Sequence, residues 1–383
     1  MGFIGVSMIF RKFSSLPIME TLFPSDIHIG DLLTSHVISI LQKRGHTHMK
    51  TQWKYKFGFT MMMILVVLVL GACSAAEKVS PADQRTKVGI VLTDVGLGDH
   101  SFSDASFEGL VQARNENSIV FDYKEPGKDL TSEAAFEQFA KDKVDLIIGL
   151  SDTIKADLEK VAQKYPDQRF LIIDGHSDLP NVTSMSFKAE EGSYLAGIIA
   201  GFATNEDHVG FLGGMDIPVL HDFQQGFEQG VKAANPDATV HVVYAGDFGN
   251  PDLGGKLAAQ MIQEQRVDVI YVAAGLTGIG SLSEIQRLGK YAIGVDQDQF
   301  FLAEKAVLTS MLKNVDVSLH NAINTFIQNQ HSFPEKEMFY GLAENGVGLT
   351  ALHNITLTDE QQQTFEDLKA QIASGKTKIT LDQ

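Results

Sequence analysis

The 383-residue sequence contains a single cysteine, Cys73. No disulfide can form within the chain, and a metal site built on several thiolates is excluded. Motifs that mark enzymes are missing too: there is no G-x-S-x-G elbow, no P-loop and no H-E-x-x-H helix. No nucleophile stands beside a base at a recognisable spacing, and the pair His46 and His48 falls in a leader outside the periodic body. The chain therefore reads as a non-enzyme, with no cofactor and no metal. Basic residues are scarce in the body. Residues 73–383 hold 24 Lys and Arg against 45 Asp and Glu, a field that repels phosphate backbones and argues against nucleic-acid binding. It places no restriction on a neutral small ligand.

Long apolar runs are scarce as well, and the one that stands out is Phe57–Leu70. Lys50, Lys54 and Lys56 precede it without an acid nearby, and it ends in Leu70-Gly71-Ala72-Cys73. A positive segment, a short apolar stretch and small residues before a cysteine have the form of a lipoprotein signal peptide, over residues 49–72, with Cys73 as the lipidated mature N-terminus. Such an N-terminus carries at least two acyl chains, enough for stable membrane attachment. The alternative is a buried cysteine behind an uncleaved anchor helix, which the position of the sole cysteine disfavours. Residues 1–48 fit neither part and read as a leader upstream of a start at Met49, with a genuine N-terminal extension as the alternative. Residues 73–86 are small, polar and charged, as a tether would be.

Beyond the tether, short β-branched runs alternate with helical patterns. Val88–Leu92, Ile119–Tyr123, Val144–Ile148 and Phe170–Ile173 read as strands, while Ile154, Leu158, Val161 and Tyr165 recur at helical spacing. Strands apolar on both faces and separated by helices predict parallel sheets covered on both sides. The pattern then repeats. Lys87-Val88-Gly89 matches His208-Val209-Gly210, Phe107-Glu108 matches Phe227-Glu228, Val144-Asp145 matches Val267-Asp268, and Asp174 matches Asp296, all at offsets of 120 to 123. Two doubly wound lobes follow, with a ligand cleft beyond the carboxyl ends of their strands and a hinge that can close it.

The stretches TDVGLGDHSFSDASFEGL (93–110), EEGSYLAGIIAGF (190–202), VGFLGGMDIPVLHDFQQGF (209–227), AAGLTGIG (273–280), YAIGVDQDQ (291–299), LTSMLKNVD (308–316) and NGVGLT (345–350) carry a resemblance. In this order and spacing they resemble the basic-membrane-protein, or purine-nucleoside-receptor, family of ABC-transporter substrate-binding lipoproteins. That resemblance implies an α/β type I periplasmic-binding-protein fold, two doubly wound parallel-sheet lobes joined by a three-crossing hinge. The expected division is 87–187 plus 313–336 for lobe 1 and 188–312 plus 337–383 for lobe 2. It also implies a nucleoside ligand, an ABC permease partner and a monomer tethered to the extracytoplasmic side of the membrane. Two departures lie on the ligand side of the first lobe: Ser103 stands where the family usually has Asn, and the third strand ends Gly149-Leu150-Ser151-Asp152 where Gly-Phe is commoner.

Candidate ligand residues can then be named. Phe102 follows a glycine-rich turn too closely to be ordinary helix core, so its ring can stack on a flat ligand. Phe223, at the repeat-equivalent position, and Phe248, in the loop after Tyr244, could supply an opposite face, although core packing competes for each. Asp174 and Asp296 end strands and could accept paired hydrogen bonds from hydroxyls or base N–H groups; helix N-capping is the alternative. The resemblance favours the ligand role for Asp296, with Asp298 behind it. Asp94, Ser103 and Lys313 complete the polar set, and Gly275 and Gly278 would let backbone approach the ligand. The glycines of that last stretch run G-x-x-G-x-G rather than G-x-G-x-x-G, so a dinucleotide site is disfavoured. Two readings of function follow, a transport receptor for a nucleoside or a regulatory lipoprotein of the same fold, with an extracytoplasmic enzyme a distant third.

The anchoring reading has a direct check. Cys73→Ala should abolish incorporation of labelled fatty acid and leave an unprocessed or released protein; label persisting on the alanine variant would refute it.

Overall fold

The computed structural model describes residues 85–116 and 119–382; the leader, the signal segment, Cys73 and nearly all of the tether lie outside the described residues. The first lobe opens with β1 (Thr86–Val91), α1 (Phe102–Asn115), β2 (Ile119–Lys124), α2 (Ser132–Lys141), β3 (Leu146–Leu150), α3 (Lys155–Lys164), β4 (Phe170–Ile173) and β5 (Val182–Phe187). The second follows with α4 (Ala189–Ala203), β6 (His208–Gly213), α5 (Pro218–Ala234), β7 (Thr239–Tyr244), α6 (Pro251–Gln265), β8 (Val269–Ala273), α7 (Gly275–Arg287), β9 (Tyr291–Asp296) and β10 (Val307–Lys313). The chain then returns for α8 (Val315–Gln328) and β11 (Glu337–Tyr340) before ending on β12 (Val347–Leu349) and α9 (Asp359–Ala373).

These elements have local causes. The central strands are runs rich in Val, Ile and Leu that bury both faces, as β3, β4 and β8 do along their whole length. Pro218 and Pro251 sit in the first turns of α5 and α6, where a missing N–H costs nothing. Thr131, Asn250 and Thr358 accept backbone N–H groups at the starts of α2, α6 and α9.

The two lobes share one topology. The first sheet runs β2-β1-β3-β4-β5-β11, parallel throughout. The second runs β7-β6-β8-β9-β10-β12, parallel except for the antiparallel β12. Helices α1 and α8 cover one face of the first sheet and α2 and α3 the other. In the second, α4, α5 and α9 lie against one face, with α6 and α7 on the other. This is the repeat seen in the sequence, and it forms a type I periplasmic-binding-protein fold crossed three times, after β5, β10 and β11.

The lobe boundary differs from the sequence expectation at its return. Glu337–Tyr340 pairs with Ser184–Phe187 in the first sheet, so lobe 1 extends to β11 and the last crossing falls in residues 341–346. Lys313 likewise closes a strand of the second sheet and does not open the return. Short edge strands carry too little periodicity to announce which sheet they join; pairing decides it. The crossings are knit to one another. Lys188 donates its N–H to Tyr340 (2.9 Å), Leu342 donates to the Glu191 carboxylate (2.8 Å), and Asn314 donates to Gly346 (2.9 Å).

Lobe 2 depends on close approach of α4 and α5. A Cβ on Gly230 would stand 2.0 Å from the Tyr194 carbonyl oxygen, and one on Gly197 2.2 Å from that of Phe227. Gly230→Ala should therefore destabilise the protein by about 3 kcal/mol, the upper part of the overpacking range. Gly348→Ala, where nothing lies within 4 Å of the added carbon, should change stability little in the same denaturant titration.

Candidate functional site

The strands of both lobes end on one cavity of about 610 Å³. The loops that follow six of the strands contribute: Thr93, Asp94 and Val95 after β1, Ser151 and Thr153 after β3, Asp174 after β4, Met215 after β6, Phe248 after β7 and Gly275 after β8. Asp296 and Lys313 are the last residues of β9 and β10 and complete the wall. Ligands of doubly wound sheets sit at these carboxyl ends because the strand-to-helix turns there are free to carry side chains inward.

The charged centre is a buried ion pair. Lys313, 4% exposed, donates from its Nζ to the Asp174 carboxylate, 7% exposed, across the junction between the lobes. The same ammonium stands 4.5 Å from the ring centre of Phe102, 5.3 Å from Phe187 and 5.7 Å from Phe223. Ring faces attract the cation, and the carboxylate compensates for the water it has lost. Beside it lies Asp296, which accepts a hydrogen bond from the Ser101 hydroxyl of the other lobe. Burial lifts the Asp296 carboxyl to about 6, against the opposing pull of Lys313 and Ser101. Burial likewise raises Asp99, whose carboxylate accepts the N–H groups of Ser101 (2.9 Å), Ser103 (2.8 Å) and Asp104 (3.2 Å) and so holds the start of α1. Gln299 donates to the His100 carbonyl at 3.1 Å, a further tie between the lobes.

Left-handed backbone recurs around the wall. Ser151, Asp174 and Asp296 have φ of 81°, 56° and 64°, and Gly275 has 53°. Such conformations reverse the chain abruptly as a strand ends, and all four residues line the cavity.

Of the residues expected from sequence, the cavity wall holds Asp94, Phe102, Asp174, Phe223, Phe248, Gly275, Asp296 and Lys313. Ser103 is the exception. It is fully buried on α1, with its hydroxyl 3.0 Å from that of Thr93, and it does not reach the wall. It is adjacent to Phe102 in the chain, and a single step around a helix turns a side chain from cavity to core. Asp298 caps the Phe300 N–H at 3.0 Å, and Gly278 packs against Val272; neither lines the cavity. Sequence reasoning missed Asp99 and Ser101, although both stand in the same loop as Phe102, and it missed the apolar wall of Met215, Ile217 and Leu220, which reads as helix core.

Fold and cavity together define a two-lobed ligand-binding protein with its site between the lobes. The profile of the family described as "ABC transporter substrate-binding protein PnrA-like" matches residues 86–380, and the chain belongs to that family. It is 32% identical over 340 residues to the CD4+ T-cell-stimulating antigen of Listeria innocua, covering 82% of this chain and 94% of that protein. It is 31% identical over 312 residues to basic membrane protein A of Borreliella burgdorferi, covering 80% and 90%. Among solved structures, an ABC transporter solute-binding protein from Aeropyrum pernix superposes with a TM-score of 0.71 at 29% identity, covering 78% of this chain and 94% of that one. Among the described residues no helix is long and apolar enough to cross a membrane.

The raised Asp296 carboxyl predicts a pH dependence. Its folded value lies above the ordinary 3.8, so its contribution is fully present below pH ~4 and is lost as pH rises through about 6. Asp296→Asn should gain about 2–3 kcal/mol relative to wild type between pH 4 and pH 7, read by denaturant titration at both values with no ligand added. A constant difference across that window would contradict the assignment.

Proposed function

We propose that the protein captures a nucleoside, of the purine class, outside the cytoplasm and delivers it to an ABC permease as a lipid-anchored monomer. One observation carries the reading: rings and ionised groups converge on the same cavity from both lobes. Phe102, Phe223 and Phe248 line it together with Asp174, Asp296 and Lys313. A nucleoside has the complementary halves, a flat base for the rings and a vicinal diol for the carboxylates and the ammonium. Base stacking on an aromatic side chain contributes roughly 1–3 kcal/mol, and a hydrogen bond to a charged acceptor roughly 1.5–3 kcal/mol. Ligand hydroxyls that donate to Asp296 would favour its ionised form. Five carboxylates against one ammonium at the wall, counting Asp94, Asp99, Asp174, Asp247 and Asp296, oppose an anionic ligand.

Calorimetric titration of the full-length protein in detergent, stripped of co-purified ligand, tests this. Phe102→Ala should weaken every nucleoside about ten- to a hundredfold. Asp296→Ala should instead erase the preference for a ribonucleoside over its free base. Wild-type protein that binds no nucleoside at millimolar concentration would overturn the proposal and favour the regulatory reading.

A further inference from the structure

The cavity is two-sided in its chemistry. Its apolar lining comes mostly from lobe 2, from Met215, Ile217, Leu220 and Leu276 among others, whereas lobe 1 contributes the hydroxyls of Ser132, Ser151 and Thr153. Two of those hydroxyls are wired to each other. Thr153 donates both its backbone N–H (3.3 Å) and its hydroxyl (3.1 Å) to Ser151 Oγ. A serine hydroxyl has two acceptor lone pairs and one proton. With both lone pairs engaged, the Ser151 O–H remains as a donor. Thr153 Oγ1, its proton already given to Ser151, remains as an acceptor. The two oxygens thus present a donor and an acceptor side by side at the cavity wall.

Ser151 holds this place against its backbone. Its φ of 81° and ψ of 148° belong to a region that glycine occupies and other residues rarely do. Glycine would satisfy the turn with less strain and remove the hydroxyl.

Resting on the nucleoside reading, we infer that Ser151 and Thr153 form a specificity pair for the edge of the base. The Ser151 O–H donates to a ring carbonyl or ring nitrogen while Thr153 Oγ1 accepts from the N–H beside it, with the base lying on the apolar wall of lobe 2. The ligand class is a purine nucleoside whose N1 and C6 edge carries an unblocked donor and acceptor. A ring methylated at N1 loses the donor and meets the Thr153 oxygen with a methyl group.

Titrations with inosine and 1-methylinosine test the pair. Wild type should bind 1-methylinosine roughly three- to tenfold more weakly than inosine, the loss of one neutral hydrogen bond. In Thr153→Val that gap should close, through weaker binding of inosine. Ser151→Gly should weaken both compounds about three- to tenfold, because each keeps the carbonyl, and leave the gap in place. Ser151→Ala, which keeps the strained backbone, should weaken both to the same degree, and Ser151→Gly should melt no lower than wild type. A gap that persists in Thr153→Val, Ser151 variants that bind both compounds as tightly as wild type, or a gap absent from wild type that binds inosine, overturns the specificity pair and leaves the nucleoside reading standing. Wild type that binds neither compound overturns both.

Discussion

The junction of the lobes rests on one buried cation. Lys313 ends a strand of the second sheet, yet its ammonium is held by a carboxylate of the first and faced by rings of both. An unpaired ammonium at this depth would be strongly disfavoured, because desolvation is offset only where opposite charge and π faces surround it. Truncating Asp174 or swinging the lobes apart therefore acts on the same group. Phe102 stands 4.5 Å from that ammonium, and the contact of Ser101 with Asp296 joins the lobes beside it.

A constraint of parallel sheets puts the site where it is. Most strands enter from a helix and leave into a turn, and the turns at the carboxyl ends can vary without disturbing the core. Both lobes place those ends on one cavity. The hinge contacts at Lys188, Leu342 and Asn314 are backbone-centred. They fix the course of the crossings without engaging the side chains of the cavity.

Much of the wall was legible in the chain. Phe102 stood too near a strand end to be ordinary core, and Asp174 and Asp296 closed strands without other charge. The repeat placed these signals on opposite lobes. Ser103 misled because adjacency to Phe102 says nothing about which side of a helix turn faces the ligand. Ser101 and Asp99 escaped notice because their roles exist only between lobes or through backbone N–H groups, neither of which leaves a pattern of spacing.

The amino-acid sequence by itself determined the alternation of strands and helices, the duplication and the acidic character of the body, since these depend on residue type and local period. Tertiary structure alone decided that β11 joins the first sheet, that Lys313 is a buried partner of Asp174, and that burial raises the Asp296 carboxyl to about 6. The physical reason is the same in each case. Pairing, burial and electrostatic environment are set by groups more than a hundred residues away, and a local reading of the chain has no access to them.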